Sequence, residues 1–291
     1  MKPTIFIQAN DRQLLGARIA AYSHKRNSGN PDSFDVRIMN VRDFPMLMKE
    51  GQSFFRRGVK LPWDPDDLQS FTPLRFVPPG LMGYKGRALV TDPDCFAVSD
   101  TGELLVSDME GKAIRAVWQA WRRNEGPHWA SSVMLLDCTK LRHWNLDRML
   151  DRLFGHDFDY QSWNRLEHEE QSTIGQLGPE WNSYDTLTSH TGILHTTNRR
   201  TQPWKTGLPV EYTFYDKSSL AFLRRLRRPR YRRHPDENQE AFIYSLLAEM
   251  IDLGLVTKDE LLREMAANHI RHDSLKLVDR YRGWELFKIA A

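Results

Sequence analysis

Residues 4–39 read TIFIQANDRQLLGARIAAYSHKRNSGNPDSFDVRIM and contain three successive patterns that decide the fold class. Thr4–Gln8 is a short apolar run typical of a strand, and Phe34–Met39 alternates like a second strand. Between them, apolar residues at helical spacing predict a helix over Asp11–Lys25. A strand, a helix and a strand in this order imply parallel strands with a helix covering the sheet, so the sequence predicts an α/β protein.

Further segments continue this pattern along the chain. We predict strands at Ala88–Thr91, Ser132–Leu136 and Gly192–Thr196, helices at Gly111–Arg123 and Lys140–Phe154, a loop-rich stretch at Asp43–Ser70 and a proline-interrupted helical stretch at Phe71–Met82. Beyond them, Glu237–His272 is almost wholly helical. There, Gly254 is expected to end one helix, and a capping box at Thr257–Glu260 is expected to start the next.

Composition excludes several classes of protein. The chain has 291 residues, of which 40% are hydrophobic, and this fraction excludes wholesale disorder. No apolar run approaches the ~18 residues of a membrane-spanning helix, and the N-terminal residues do not resemble a signal peptide. Cys95 and Cys138 lack the spacing of a zinc motif and are interpreted as small buried side chains. We therefore expect a cytoplasmic protein.

Positive charge is concentrated in one segment, Arg224–His234, which we call the arginine stripe. It holds seven arginines and no acidic residue, although the net formal charge of the whole chain is +3, so the rest of the chain is acidic. Such a stripe predicts a phosphate-rich partner or peripheral contact with an anionic membrane, and a solvated charged helix or linker is the alternative. One short stripe offers no extended face, so we expect no nucleic-acid partner.

An acidic pair of the form D-x-D occurs at three places: Asp64–Asp66, Asp92–Asp94 and Asp157–Asp159. Acids at Asp64–Asp67 are explained by capping of a following helix, and those at 157–159 lie in an expected loop. Asp92 alone directly follows an apolar strand, and ligands of open α/β sheets bind outside the carboxyl ends of strands. Two carboxylates there predict a Mg²⁺ or Mn²⁺ site, with an Asx-turn as the alternative.

Common catalytic motifs for other chemistries are missing from the sequence. It contains no phosphate loop of the form G-x-x-x-x-G-K-[ST], no G-x-G-x-x-G, no H-E-x-x-H and no G-x-S-x-G. The strand-end carboxylates therefore remain the main indication of chemistry.

Four blocks that follow the first strand occur in an order that resembles glycosyltransferase family eight, the group of glycogenin and bacterial lipopolysaccharide galactosyltransferases. They are FTPLRFVPPGLMGYKGRALVTDPDCFAVSDTGELL (residues 71–105), ASSVMLLDCTKLRHW (130–144), Glu170-Gln171 followed by LGPEWN (177–182), and His195 followed by Gln202-Pro203-Trp204. TIFIQANDR (4–12) also fits the nucleotide-contacting first strand of that family. The resemblance spans roughly residues 4–205.

This resemblance implies an α/β glycosyltransferase A-type fold: one Rossmann-like nucleotide-diphospho-sugar transferase domain over 1–215, with the stripe and a helical C-terminal extension over 216–291. It implies a retaining enzyme that uses Mn²⁺ or Mg²⁺ to move a hexose from a UDP-sugar or similar donor to a hydroxyl of a saccharide or lipid-linked acceptor. Related bacterial enzymes end in basic segments thought to rest on the inner face of the membrane, which adds to the membrane expectation.

The same resemblance implies site residues. Asp92, Asp94 and His195 would bind the metal, Gln171 would lie beside the anomeric carbon, and Glu170 would line the sugar pocket. The residues implied to contact the donor are Gln8, Ala9, Asn10, Arg12, Arg75, Arg87, Thr91, Asp92, Pro93, Asp94 and Lys205.

The chain departs from the family pattern at four positions. Ala130 and Ser132 replace an asparagine and a glycine, Glu170 replaces an aspartate, and Gln202 replaces a lysine expected to neutralise the leaving diphosphate. Arg199, Arg200 or Lys205 could substitute for that lysine. These departures keep two alternatives open: a non-catalytic nucleotide-sugar-binding relative, and a metal-dependent sugar nucleotidyltransferase. The usual glycine-rich basic loop of a nucleotidyltransferase is missing after the first strand.

Overall fold

The computed structural model describes residues 1–67, 70–120, 126–210 and 229–285. The chain divides into two compact units. The first comprises Met1–Ser183 and Thr191–His195, and the second comprises Tyr184–His190 and Thr196–Ala291. The boundary expected at residues 215 and 216 lies outside the described residues, so it stays a prediction.

Eleven strands are formed by the described residues. They are β1 (Thr4–Ala9), β2 (Asp35–Asn40), β3 (Ser53–Arg56), β4 (Val59–Pro62), β5 (Arg87–Thr91), β6 (Cys95–Ala97), β7 (Ile114–Gln119), β8 (His128–Asp137), β9 (Ile174–Gln176), β10 (Ser183–Tyr184) and β11 (Ile193–His195).

Eight α-helices lie in the same part of the chain. They are α1 (Leu14–Arg26), α2 (Pro78–Leu81), α3 (Thr101–Val106), α4 (Leu146–Phe154), α5 (Tyr160–Asn164), α6 (Glu237–Asp252), α7 (Lys258–Ala266) and α8 (Ser274–Tyr281). Short 3₁₀ turns join several of them, including Asp11–Gln13, Thr72–Phe76, Cys138–Lys140, Gln171–Thr173 and Pro203–Lys205.

A six-stranded sheet in the order β2-β1-β5-β8-β7-β9 forms the centre of the first unit. The pairs β1/β2, β1/β5 and β7/β9 are parallel, and β8 runs antiparallel to both β5 and β7. Every residue of β1 is buried, which fits a strand covered on both faces. The predicted α/β class is confirmed, and helices α6 to α8 confirm the helical C-terminal segment.

One predicted helix is wrong. Gly111–Arg123 contains β7, a strand of the main sheet, between the turn at Gly111 and residues 121–125, which lie outside the described residues. Ile114 and Ala116 are buried with the partly exposed Arg115 between them, and an irregularity in the pairing with β8 between Ala116 and Val117 then buries Val117 as well. A strand without strict alternation has no period that separates it from a helix.

The stretch expected to be loop-rich, Asp43–Ser70, contains the hairpin of β3 and β4. Its two turn residues, Arg57 and Gly58, both have positive φ values, 52° and 72°, as a two-residue hairpin turn with the twist of the strands requires. Within the same stretch, Asp64 closes a turn, since its carboxylate accepts from the N–H of Asp66 at 2.9 Å. Residues 68 and 69, which follow the predicted cap, lie outside the described residues, so capping of a helix there stays a prediction.

Helix ends follow local capping chemistry. The helix predicted at Lys140–Phe154 begins only at Leu146, because the side chain of Asn145 accepts from the N–H of Arg148. Asp159 lies in an expected loop but caps α5 through the N–H of Gln161. The capping box at Thr257 and Glu260 is confirmed at α7. The helical pattern predicted up to His272 ends earlier, at Ala266, and α8 follows.

The arginine stripe is only partly described. Arg224, Arg225, Arg227 and Arg228 lie outside the described residues. Arg230 donates to the carbonyl of Gly207 at 2.6 Å, and Arg233 pairs with Glu237 at 2.8 Å. These two arginines therefore have partners within the second unit, and membrane contact through the stripe stays a prediction. Among the described residues, no helix combines the length and the apolar character needed to cross a membrane.

His24 gives the first unit a testable pH dependence. It is fully buried in α1 and contacts the Thr101 hydroxyl at 3.0 Å, and burial lowers its pKa from 6.5 to about 3. Below pH 6.5 the unfolded chain binds a proton that the folded chain does not, so stability should fall by about 1.4 kcal/mol per pH unit until about pH 3.

Urea denaturation between pH 7 and pH 4.5 measures this effect against a His24→Gln variant. The free energies of unfolding of the two proteins should converge by about 2–3 kcal/mol as the pH falls, because the variant lacks this titrating group. Parallel pH profiles would contradict the assignment.

Candidate metal centre

The tripeptide Asp92–Asp94 forms a turn that leads the chain from the main sheet into β6. The N–H of Cys95 donates to the carbonyl of Asp92 at 3.1 Å, which closes the turn, and Pro93 occupies its second position. The N–H of Asp92 donates to the carbonyl of Ser132 at 3.1 Å, which anchors the turn to β8. Both carboxylates are thereby held at the carboxyl end of β5, where ligands bind in sheets of this kind.

The carboxylate of Asp92 is engaged by two side chains from other elements. Arg75 binds it with both arms of its guanidinium: Nε donates to Oδ1 at 2.9 Å, and Nη2 forms a short contact with Oδ2. The amide of Gln8, at the carboxyl end of β1, also donates to Oδ1. A two-armed arginine–carboxylate pair fixes both partners in orientation as well as in position.

A serine of β8 in turn holds the guanidinium of Arg75 in place. Its Nη1 donates to the Ser131 hydroxyl at 2.8 Å, and that hydroxyl donates to the carbonyl of Asn164 at 2.5 Å. The side chains of Arg75 and Asp92 are only 12% and 11% exposed. Burial raises the pKa of Asp92, with Asp94 adding to the rise, while the charge of Arg75 acts in the opposite direction. Asp92 and Arg75 thus form a buried ion pair.

His195 and Asp94 approach each other at the same edge. His195 Nε2 lies 3.4 Å from Asp94 Oδ1, and the side chains are 8% and 17% exposed. The other ring nitrogen of His195, Nδ1, lies 2.8 Å from Asn182 Oδ1, and the Asn182 amide donates to the Ser132 hydroxyl at 3.0 Å. Because an amide oxygen only accepts, Nδ1 carries a hydrogen, and a neutral His195 turns the lone pair of Nε2 toward Asp94.

Two acceptor atoms that face each other repel unless a proton or a cation lies between them. A histidine whose far nitrogen is fixed by an oxygen acceptor is the usual arrangement of a metal-binding imidazole. Carboxylate oxygen and imidazole nitrogen are both ligands of divalent ions. The pair Asp94–His195 therefore fits a divalent cation, and Asn182 would orient the histidine for it.

Cys95 adds a third donor atom to this pair. It is fully buried and lies directly opposite His195 in the antiparallel register of β6 and β11. One ligand atom from each of Asp94, Cys95 and His195 lies within 4.8 Å of the others. Sequence reasoning treated Cys95 as a small buried hydrophobic residue. Its position next to Asp94 was visible in the sequence, whereas its pairing with His195 depends on the register of two strands.

Several residues implied by the family resemblance lie near the turn or at the carboxyl end of β1. Ala9 ends β1, and Thr91 ends β5. Asn10 accepts from the N–H of Gln13 at 3.2 Å and donates to the carbonyl of Asp67 at 3.1 Å, so its side chain shapes the loop after β1. Arg12 lies in the 3₁₀ turn that follows. Their contact with a nucleotide stays a prediction.

Two of the implied residues lie elsewhere. Arg87 begins β5, roughly 13 Å along the strand from Thr91, and it donates to the carbonyls of Leu105 and Ser107. The structure thus does not place Arg87 beside Asp92. Lys205 is buried in the 3₁₀ turn Pro203–Lys205 of the second unit. Its role toward a diphosphate stays a prediction.

Glu170 is not brought to the turn. Glu170 accepts from the Ser172 hydroxyl and lines a cleft of about 410 Å³ with Gly111 and Lys140. Those two flank the start of β7 and the end of β8, at the edge of the sheet opposite Asp92. The Gln171 amide donates to two backbone carbonyls at 2.9 Å each, and its oxygen accepts from the N–H of Trp129 in β8 at 3.0 Å. Trp129 precedes by two residues the Ser131 that binds Arg75, and the place of Gln171 beside an anomeric carbon stays a prediction.

Asn182 and Ser132 are further residues of the centre. Asn182 stands in the LGPEWN block but carries no ligand pattern of its own, and Ser132 counted as a departure from the family. Their importance lies in the chain of hydrogen bonds Ser132–Asn182–His195, which joins residues far apart in the sequence. A residue that acts by orienting a ligand leaves no spacing signal.

No protein-family model matches this chain, and no curated protein matches it. Solved structures similar to it include the galactosyltransferase LgtC in complex with donor and acceptor sugar analogs, with 13% identity, coverage of 69% of this chain and 89% of that one, and a TM-score of 0.49. The glycosyltransferase GlyE of Streptococcus pneumoniae TIGR4 has 15% identity, coverage of 88% and 64%, and a TM-score of 0.48.

Mouse xyloside xylosyltransferase 1 in its apo form is similar with 14% identity, coverage of 68% of this chain and 98% of that one, and a TM-score of 0.45. At these identities the likeness concerns the fold alone.

Proposed function

We propose that the protein is a metal-dependent, retaining glycosyltransferase of family eight that moves a hexose from a nucleotide diphosphate sugar, a UDP-sugar, to a hydroxyl acceptor. The observation that supports this proposal most is the convergence of Asp92, Asp94 and His195 at the carboxyl end of β5. Binding of a nucleotide diphosphate through a divalent cation needs donor atoms at this edge of the sheet.

Asp94 and His195 would hold the cation, with the Asn182 amide keeping the imidazole in the binding tautomer. When bound, the cation supplies Lewis-acid chemistry that offsets the charge of a departing diphosphate. Arg75 positions Asp92 and adds positive charge near the same edge. Among the described residues, Asp92 and Ser131 engage three of its five N–H groups, and the other two could donate to a phosphate or sugar oxygen.

A second candidate function is binding of a nucleotide sugar without catalysis. The hydrogen bonds of Gln171 favour it, because both N–H groups and the oxygen of this amide are engaged by neighbouring groups of the protein. An amide held in this way has little freedom to stabilise charge at an anomeric carbon.

Calorimetry with metal-free protein tests the proposal. We expect UDP to bind at least about tenfold more tightly with Mn²⁺ than with EDTA, and more tightly than GDP or UTP, because the cation bridges the protein and the diphosphate. A preference for UTP would instead favour the nucleotidyltransferase alternative.

Donor turnover then separates the two candidates. Slow metal-dependent hydrolysis of a UDP-sugar supports the transferase, and tight UDP binding without hydrolysis of any nucleotide sugar supports the binding protein. If no nucleotide binds with or without metal, the proposed function is wrong.

A further inference from the structure

We infer that Trp118 and Trp129 form a platform for the acceptor, and that this acceptor is a saccharide whose apolar ring face stacks on Trp118. We call these two residues the tryptophan platform. The inference rests on the proposed function, because it names the class of acceptor in the same reaction. Both residues lie outside the four sequence blocks that resemble the family.

Trp118 presents a large apolar surface to solvent. It is 42% exposed, and among the Trp, Tyr and Phe residues of the described part of the chain no other is as open. Its ring packs against that of Trp129, with centroids 5.0 Å apart and planes inclined by 68°. Its backbone N–H donates to Gln176 Oε1 at 3.1 Å. A ring held by a second ring loses little freedom when a ligand binds, so the platform is preorganised.

The tryptophan platform lies at the same edge of the sheet as the D-x-D turn. Val90 of β5, Met134 of β8 and Ala116 of β7 form one row across the sheet, and β5 and β7 run in the same direction. Asp92 and Trp118 each follow this row by two residues. Two strand spacings therefore put their backbones about 10 Å apart. A donor sugar and an acceptor sugar side by side would fill such a distance.

One segment of the chain, residues 164–171, contacts both the platform and the support of the ion pair. Trp129 Nε1 donates to Gln171 Oε1 at 3.0 Å, near the end of this segment. At its beginning, the carbonyl of residue 164 accepts from the hydroxyl of Ser131, the serine that binds Arg75. The platform is thus continuous with the candidate metal centre.

The order of the strands favours the acceptor over the donor as the occupant of the platform. In the order β1-β5-β8-β7, β1 lies on one side of β5 and the platform lies on the other. The expected nucleotide contacts, Gln8–Arg12, lie at the end of β1 and just after it. A transfer needs the acceptor hydroxyl next to the reacting carbon. With the diphosphate at the turn, the side of β8 and β7 is left for the acceptor.

A saccharide fits an exposed indole because one face of its ring carries mostly C–H groups, while its hydroxyls point outward. The negative face of an aromatic ring attracts such weakly positive C–H groups. A docking site for a protein or a lipid chain needs a wide apolar patch instead. Trp118 is followed by Gln119 and contacts Gln176, so polar groups that can bind hydroxyls flank the platform.

Fluorine NMR of protein labelled with 5-fluorotryptophan tests the inference, with Trp118→Phe and Trp129→Phe assigning the two signals. The probes are methyl glycosides of glucose, galactose, mannose and N-acetylglucosamine, together with lactose and maltose, added with and without UDP and Mn²⁺. At least one probe should shift the Trp118 signal. In unlabelled protein, Trp118→Ala should bind that probe at least about tenfold more weakly, and Trp118→Tyr should keep most of the affinity because it keeps an aromatic face.

Leu81→Ala is the matched control, because Leu81 is 39% exposed on α2 of the same unit and its change also removes an exposed apolar side chain. This variant should bind the saccharide as the wild type does. The inference is overturned by a Trp118 signal that no saccharide moves, or that UDP moves as far as any saccharide. It is equally overturned by a saccharide that binds Trp118→Ala with wild-type affinity.

The same titrations separate this inference from the proposed function. If a saccharide shifts the Trp118 signal while UDP fails to bind with or without metal, the proposed transfer falls and the platform stands as a saccharide site. If UDP binds with Mn²⁺ and no saccharide shifts the signal, the platform falls and the proposed function stands.

Discussion

Replacing Asp94 by alanine is expected to lower metal-dependent hydrolysis of a UDP-sugar by roughly 10²–10⁴-fold, because Lewis-acid stabilisation of a leaving group contributes several kcal/mol to the transition state. Asp94 faces His195 Nε2 at 3.4 Å, so its loss removes half of that pair. The measurement is the initial rate of UDP release with saturating Mn²⁺ or Zn²⁺, with circular dichroism to confirm that the variant is folded.

Asp66→Ala is the matched control, because Asp64-Pro65-Asp66 repeats the same tripeptide in an exposed turn. The side chain of Asp66 is 67% exposed and its charge partner is Arg42, at 3.5 Å. We expect Asp66→Ala to keep the wild-type rate. An Asp94→Ala protein that hydrolyses the donor at the wild-type rate in EDTA would contradict the metal-dependent reaction.

Arg75→Met should destabilise the first unit by roughly 3–5 kcal/mol, because it leaves Asp92 as a buried charge without its counter-ion. The Asp92 side chain is 11% exposed, and the amide of Gln8 alone cannot replace the guanidinium. Urea denaturation at pH 7 measures the loss in the free energy of unfolding.

The double variant Arg75→Met/Asp92→Leu distinguishes a lost charge pair from lost packing. It should recover most of the stability, since removing both charges of a buried pair is often neutral. Burial already raises the pKa of Asp92, and loss of Arg75 should raise it further. The folded variant then takes up a proton more readily than the unfolded chain, so its deficit should shrink as the pH falls. A deficit independent of pH and unchanged in the double variant would show that the pair contributes little.

Strand and helix patterns predicted the elements around the turn because these elements are amphipathic or fully apolar. β1, β5 and β11 agree with their predicted positions to within about two residues. β7 was wrongly predicted as a helix because a bulge between Ala116 and Val117 leaves both of these neighbours buried and breaks the alternation of the strand. The period of a strand is lost where a bulge shifts its buried face by one residue.

Context singled out one of the three D-x-D tripeptides, since a strand end is a position that the sequence marks, and in the structure Asp92 directly follows β5. The structure places a histidine beside Asp94, 101 positions along the chain, and the sequence indicated that pairing only through family resemblance. The sequence indicated Glu170 and Gln171 only through family resemblance, by the pair itself and by the LGPEWN block at 177–182. Nothing in those letters fixes the path of the chain between 164 and 174. The structure places Glu170 in the cleft at the opposite end of the sheet, whereas Gln171 contacts Trp129 of β8.

β6, which directly follows the turn Asp92–Asp94, is the outer strand of a small sheet, a position where another strand could pair. Its outward backbone groups at Ala97 are already taken: the N–H donates to the Ser23 hydroxyl at 2.8 Å, and the carbonyl accepts from the Asn27 amide at 2.7 Å. Side chains at the C-terminal end of α1 thus form the hydrogen bonds that the backbone of a neighbouring strand would otherwise form. With the outward groups of Ala97 occupied in this way, the edge of β6 offers fewer unpaired backbone groups to a strand of another chain, which opposes self-association at this edge.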